Sequence, residues 1–174
     1  MGNLVGDSLV SPAQYAKLSQ SIPRSGAVLE IGTWHGVTAA KLADDHPDAL
    51  IVSVDPFIGW TGAPCDPNFY LRNKRPNMRG FIGTVQQLVP LWNCDLRFDV
   101  VLVDAVHKYP DALNDMIGAW AVTHQDHGRI FAHDYDEAEF PGVVQSVTEF
   151  CAMTATRVLS RTDERRSLVE MARG

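Results

Sequence analysis

The chain has 174 residues, 45% hydrophobic and 21% charged, the proportions of one ordinary globular domain, which at this length buries roughly 70% of its unfolded surface without help from disulfides or a structural metal. A net charge of -6 disfavours a sequence-independent nucleic-acid binder, which needs a basic face to displace counterions from phosphates, and favours a small-molecule partner. Cys65, Cys94 and Cys151 are odd in number and lack C-x-x-C spacing, which excludes a disulfide framework and a zinc knuckle.

The start, MGNLVGDSLV, carries no basic leader before an apolar segment and reads as a disordered lead-in. No apolar run approaches the ~20 residues of a membrane span, so neither a membrane partner nor a membrane location is expected, and the location is expected to be cytoplasmic. Ser11 then caps a helix with Pro12 at its first position, ending near Ser21. AVLEIG (27–32) reads as a buried strand, VTAAKLADDH (37–46) as a helix and ALIVSVD (49–55) as a second buried strand. Residues 56–80 are rich in Pro, Gly and Asn and carry Phe57, Trp60, Phe69 and Tyr70. They read as a long loop with one short helix, an insertion of the kind that is usually functional or mobile.

GFIGTV (80–85) is a short strand, QQLVPLW a helical run interrupted by Pro90, and FDVVLVDA (98–105) the most strand-like run of all. Helical spacing returns over 109–124 through Leu113, Met116, Ile117, Trp120 and Ala121, followed by the buried strand GRIFAHD (128–134) and a helix over 142–153. ATRVLSR and SLVEMAR flank the charged turn TDERR as an antiparallel hairpin. The expected fold is α/β: a single domain over 1–174, a doubly wound, mostly parallel seven-stranded sheet with helices on both faces and the hairpin at one edge. Such sheets bind ligands outside the carboxyl ends of their strands. Gly32, Asp55, Asp104 and Asp134, each at or just past a strand end, therefore share one rim.

VLEIGTWHGVT is a strand running through a Gly-containing turn into a helix, which lets backbone approach a nucleotide-like ligand closely. A dinucleotide fingerprint anchored at Gly32 would need glycines at 34 and 37, where Trp34 and Val37 stand, so a pyrophosphate cradle is poorly supported. The arrangement of Glu30, Gly32, Gly36 and Asp55 instead resembles the first motif of class I S-adenosylmethionine-dependent methyltransferases, whose second acidic residue takes the ribose hydroxyls. Trp34 replaces their usual middle glycine, but EIGTWHGVT fits the branch E-x-G-[ST]-x-x-G-x-[ST] through Thr33 and Thr38. A carboxylate at Asp55 suits the task, since it can accept both ribose hydroxyls at once. An Asp after a strand also serves as a cap or turn former. By the same resemblance Glu30 faces the methionine end of the cofactor and the adenine lies beside Gly83, Thr84 and Val85.

Asp104 ends the strongest strand, His107 follows in DAVHKY, and the next strand ends in His133, Asp134 and Tyr135. A hydroxyl acceptor is a poor nucleophile at neutral pH and needs a base, an acidifying metal, or both. Asp104 and Asp134 are hard oxygen donors of the kind that hold Mg²⁺, and His107 is placed to remove a proton. The run VDAVHKY, GRIFAHDY and FPGV resembles the branch that includes macrolide-sugar O-methyltransferases of the macrocin and mycinamicin type. That resemblance implies Mg²⁺ or another divalent metal on Asp104, His133 and Asp134, with Asp104 also near the cofactor and His107 as base. His133 stands where relatives often carry a second carboxylate, which implies weaker Mg²⁺ binding or a softer metal.

The function expected is methylation of a hydroxyl on a small molecule, a sugar or a phenol, by a metal-assisted enzyme that can be a homo-oligomer. A nucleotide-dependent oxidoreductase on the same architecture and a non-catalytic cofactor-binding relic are the alternatives. His35 and His46 read as loop and helix-end residues, and Arg72, Lys74, Arg75 and Arg79 as a solvated face, with substrate contact as the alternative.

Overall fold

The computed structural model describes residues 4–58, 65–92 and 95–174; Trp60 and Cys94 lie outside the described residues. Helix α1 (Pro12–Gln20) begins where expected: Ser11 accepts from Gln14 N–H, and the Gln14 side chain accepts in turn from Ser11 N–H. Strand β1 (Ala27–Ile31) is buried along its whole length and leads through a tight turn to α2 (Val37–Asp45) and on to β2 (Leu50–Asp55). Within 56–80 lies α3 (Pro67–Asn73), capped by Asp66.

Strand β3 occupies Met78–Ile82 rather than 80–85. The cause is local. Gly83 sits at φ +151 and the Gln87 side chain accepts from Thr84 N–H at 2.9 Å, so 83–85 already form the entry to α4 (Val85–Leu88). Pro90 limits the helical run after it to a 3-10 turn, Val89–Leu91. Strand β4 keeps only Val100–Val103 of the expected 98–105, with Phe98 making an isolated bridge to Thr123. The remaining elements, α5 (Asp111–Val122), β5 (Arg129–Tyr135), α6 (Pro141–Thr154), β6 (Thr156–Arg161) and β7 (Ser167–Arg173), differ from the sequence reading only at their ends.

The strand order is β3-β2-β1-β4-β5-β7-β6, parallel except for β7, which runs antiparallel between β5 and β6. The hairpin is therefore present, with its second strand inside and its first at the edge. Leu29, Val101, Met116 and Phe150 belong to the core between the sheet and α4, α5 and α6; Leu18, Leu42, Ile51 and Phe131 belong to the core under α1, α2 and α3. Each such side chain contributes roughly 1.5–3 kcal/mol by leaving water. Because β1 is flanked by β2 on one side and β4 on the other, the connections leaving β1 and β4 diverge and open a crevice at their carboxyl ends.

From residue 4 onward the lead-in is held against the domain, contrary to the sequence reading. Val5 N–H and carbonyl pair with the Asn73 amide at 2.8 and 2.7 Å, Asp7 N–H reaches His35 Nδ1 at 3.1 Å, and Ser8 Oγ lies 2.7 Å from Thr38 Oγ1. Asn73 of α3 and His35 of the turn before α2, partners invisible in a local reading, satisfy its backbone at Val5 and Asp7. Among the described residues no helix is long and apolar enough to cross a membrane.

Candidate active site

Gly32, at φ +89, lets the turn after β1 pass against the turn after β4: a Cβ here would overlap the Asp104 carbonyl oxygen. Trp34 takes φ 47, the left-handed region that a glycine would enter freely, and its ring stacks on His35 at 3.8 Å. Asp55 ends β2 and braces this turn. Its Oδ2 accepts from Trp34 N–H at 2.8 Å and its Oδ1 from Phe57 N–H at 2.6 Å, which holds the carboxylate rigidly and leaves each oxygen a lone pair for a ligand hydroxyl.

Glu30 is 2% exposed and accepts the Thr33 hydroxyl. Burial pushes its pKa up to about 8, with the charges of Asp104 and Asp55 adding to the effect against the Thr33 hydrogen bond. An open cleft brings Glu30, Gly32, Thr33, Trp34, Thr38, Asp104 and His107 together, and Asp7, Ser8 and Leu9 of the N-terminal segment close one side of it. Gly83 N–H bonds to the Asp55 carbonyl at 3.1 Å, which sets 83–85 beside Asp55. Thr84 is exposed, whereas the Val85 side chain is fully buried in the core, so only the backbone of Val85 is left to meet a ligand.

At the ends of β4 and β5 the second group of residues converges. Neighbouring residues of a regular strand face opposite sides of the sheet, which would separate His133 from Asp134. Here β5 slips register between Ala132 and Tyr135, and Asp134 takes φ 56. The irregularity turns both side chains the same way. His133 Nδ1 lies 3.2 Å from Asp104 Oδ1 and 3.1 Å from Asp134 Oδ2, while His107 Nε2 lies 2.9 Å from Asp134 Oδ2 and 4.0 Å from Asp104 Oδ1.

Neither His107 Nε2 nor His133 Nδ1, both buried, has a partner with hydrogen-bond directionality. Asp104, His133 and Asp134 each offer a donor atom, all within 4.8 Å of one another. Burial opposes charge on His107 and His133, but Asp104 and Asp134 outweigh it and raise these pKa values to about 9 and about 10. Burial likewise works against the two carboxylates, yet the facing imidazoles hold both below the usual range.

On its far side, His133 Nε2 meets Gln14 Oε1 at 3.0 Å. Sequence reading missed Gln14; its visible signal, the S-x-x-Q spacing, indicates a helix cap and says nothing of a contact 119 residues away. His35 is buried in the turn before α2 and His46 caps the end of that helix, bonded to Ser19 at 2.8 Å. Arg75 does not lie on a solvated face: it is largely buried and forks onto Asp44 at 2.7 and 3.0 Å.

A mostly parallel sheet with its order reversing at β1, an acidic residue closing β2 and a glycine-bearing turn between them is the α/β architecture whose crevice suits a nucleotide-like cofactor. Residues 29–135 match the methyltransferase domain family, and the chain belongs to that family, with the class I S-adenosylmethionine-dependent methyltransferase fold. Solved structures share the fold. The O-methyltransferase TomG from Streptomyces achromogenes, involved in tomaymycin synthesis and in complex with SAM, aligns with a TM-score of 0.67 at 19% identity, over 95% of this chain and 82% of that one. The O-methyltransferase NovP gives 0.69 at 16% identity over 92% and 78%. A ribosomal protein L11 methylase from Lactobacillus delbrueckii subsp. bulgaricus gives 0.65 at 15% identity over 97% and 80%. Comparison with curated protein sequences gives no match.

Proposed function

We propose that the protein methylates a hydroxyl oxygen of a small acceptor, a sugar or a phenol, with Asp104, His133 and Asp134 holding a divalent cation and His107 acting as base. The observation that carries this reading is the cluster of buried His133 and Asp134 with half-buried Asp104 and His107 beside the cleft that contains Glu30, Gly32 and Thr33. Two ligands each about 2.1 Å from an octahedral ion, at right angles, lie about 3 Å apart. The contacts of 3.2 and 3.1 Å made by His133 Nδ1, which are not directed hydrogen bonds, match that spacing. These residues fit a cation.

When bound, S-adenosylmethionine supplies a methyl group on a sulfonium sulfur, whose C–S bond breaks as the acceptor C–O bond forms, the electron pair staying on sulfur. Asp55, braced by two backbone amides, is suited to the ribose hydroxyls. Gly32 and Thr33 line the cleft together with Glu30 and Thr38. A cation on Asp104 and Asp134 would orient the acceptor hydroxyl and acidify it. A cation there would also offset the two carboxylates that hold a proton on His107, so that Nε2 could take the acceptor's.

The test is turnover on a panel of small hydroxyl acceptors with and without EDTA. Chelation is expected to abolish methyl transfer while leaving S-adenosylmethionine binding intact, and His107→Ala to lower turnover by roughly 10² to 10⁴. Full activity in EDTA together with an active His107→Ala enzyme would overturn the mechanism. Cofactor binding without turnover on any acceptor would favour a non-catalytic relic.

A further inference from the structure

The side of His133 that faces away from the cluster decides what its other side can do. Gln14 projects from α1 and is 2% exposed, and its amide has only one workable orientation. Nε2 lies 2.7 Å from the Arg166 carbonyl, which can only accept, and Oε1 lies 2.9 Å from Ser11 N–H, which can only donate. The atom that His133 Nε2 meets at 3.0 Å is therefore an acceptor, and Nε2 must carry a hydrogen to bond with it. In the neutral ring the lone pair is then on Nδ1, the atom set between Asp104 and Asp134.

We propose that Gln14 is a positioning residue that locks His133 in the Nε2–H tautomer, and that the resulting imidazole donor makes this centre selective for a borderline cation of the Mn²⁺, Co²⁺ or Zn²⁺ kind over Mg²⁺. The inference rests on the cation reading of Asp104, His133 and Asp134 above and goes beyond it in naming the class of metal. Mg²⁺ takes oxygen ligands and sheds water reluctantly, whereas imidazole suits transition ions, whose affinity rises along the first row. A histidine that binds a metal through one ring nitrogen and gives its other N–H to an amide carbonyl has a fixed ring plane and greater basicity. The same glutamine closes the N-terminal cap of α1 through Ser11, so the helix cap and the histidine orientation are set by one side chain.

The experiment is calorimetric titration of the purified protein with MnCl₂, CoCl₂ and MgCl₂, alongside two-bond ¹H–¹⁵N correlation spectra that report the His133 tautomer in the protein loaded with diamagnetic Zn²⁺, since without a cation Asp104 and Asp134 keep the ring doubly protonated. Expected for the wild type are the Nε2–H tautomer and Co²⁺ or Mn²⁺ affinity at least about tenfold above that for Mg²⁺. In Gln14→Leu, Co²⁺ affinity is expected to fall about 10- to 100-fold with appearance of the Nδ1–H tautomer, a change that mere loss of helix packing does not produce. His133→Asp, which leaves α1 intact, is expected to lower the Co²⁺ to Mg²⁺ affinity ratio and serves if Gln14→Leu does not fold. Equal or tighter Mg²⁺ binding by the wild type, or an Nδ1–H tautomer in it, overturns this inference alone. Failure to bind any of the three ions overturns the cation reading as well.

Discussion

Replacing Glu30 by glutamine tests how the buried carboxyl is ionised. Glu30 is 2% exposed and burial, with Asp104 and Asp55 nearby, lifts its pKa from 4.5 to about 8. Between those values the folded chain keeps a proton that the unfolded chain has released, so stability falls as pH rises through the window and Glu30 contributes no slope on either side of it. At 1.36 kcal/mol per pH unit, the window from 4.5 to about 8 is worth about 5 kcal/mol. Glutamine fills the same space, can still accept the Thr33 hydroxyl and never ionises. Urea unfolding of both proteins from pH 4.5 to 9 should show Glu30→Gln matching the wild type at the acid end and gaining on it up to about pH 8, by about 5 kcal/mol in all. Parallel curves would refute the reasoning, because they would mean that Glu30 is already charged in the folded chain. Since a sulfonium cofactor brings positive charge to this cleft, its binding at pH 7 should also release a proton. The heat of binding would then vary with the ionisation enthalpy of the buffer, and that variation should vanish in Glu30→Gln.

Gly32→Ala should lose at least about 3 kcal/mol and more readily aggregate than fold, since its Cβ would overlap the Asp104 carbonyl at φ +89; a thermal melt close to the wild type would contradict the close approach of the two turns. Asp55→Ala should weaken S-adenosylmethionine binding by one to two orders of magnitude, about 1.4 to 2.8 kcal/mol, as read by calorimetry, and unchanged affinity in a folded variant would remove its ribose role. Asn73→Ala would strip Val5 of both partners and His35 of one, costing about 1–3 kcal/mol. Limited proteolysis should then cut before residue 11 faster than in the wild type, and equal rates would show that the lead-in is held by other contacts.

The order of elements was legible because it depends on local pattern. Uniform apolar runs at β1, β2, β4 and β5, separated by helical spacing, allow few arrangements other than a parallel sheet covered on both faces. The rim was legible for the same reason: Gly32, Asp55, Asp104 and Asp134 end strands, and ends of parallel strands lie together. The start of β3 was misplaced because GFIGTV has strand composition throughout, and only the Gly83 conformation and the Gln87 contact to Thr84 show where pairing stops.

What the sequence by itself determined is therefore the fold, the side of the sheet that carries chemistry and the residue types present there. Tertiary structure alone decided how those residues meet. Alternation along a strand would send His133 and Asp134 to opposite faces, and the register slip at φ 56 in Asp134 is what puts them 3.1 Å apart. Likewise, S-x-x-Q at residues 11–14 specifies a helix cap, but the contact of Gln14 with His133 exists only because α1 packs over β5 and β7, and its amide is oriented by a carbonyl 152 residues away. Local sequence fixes backbone tendencies within a few residues; the direction of a side chain and the protonation of its partner depend on groups that only the folded chain brings within hydrogen-bond distance.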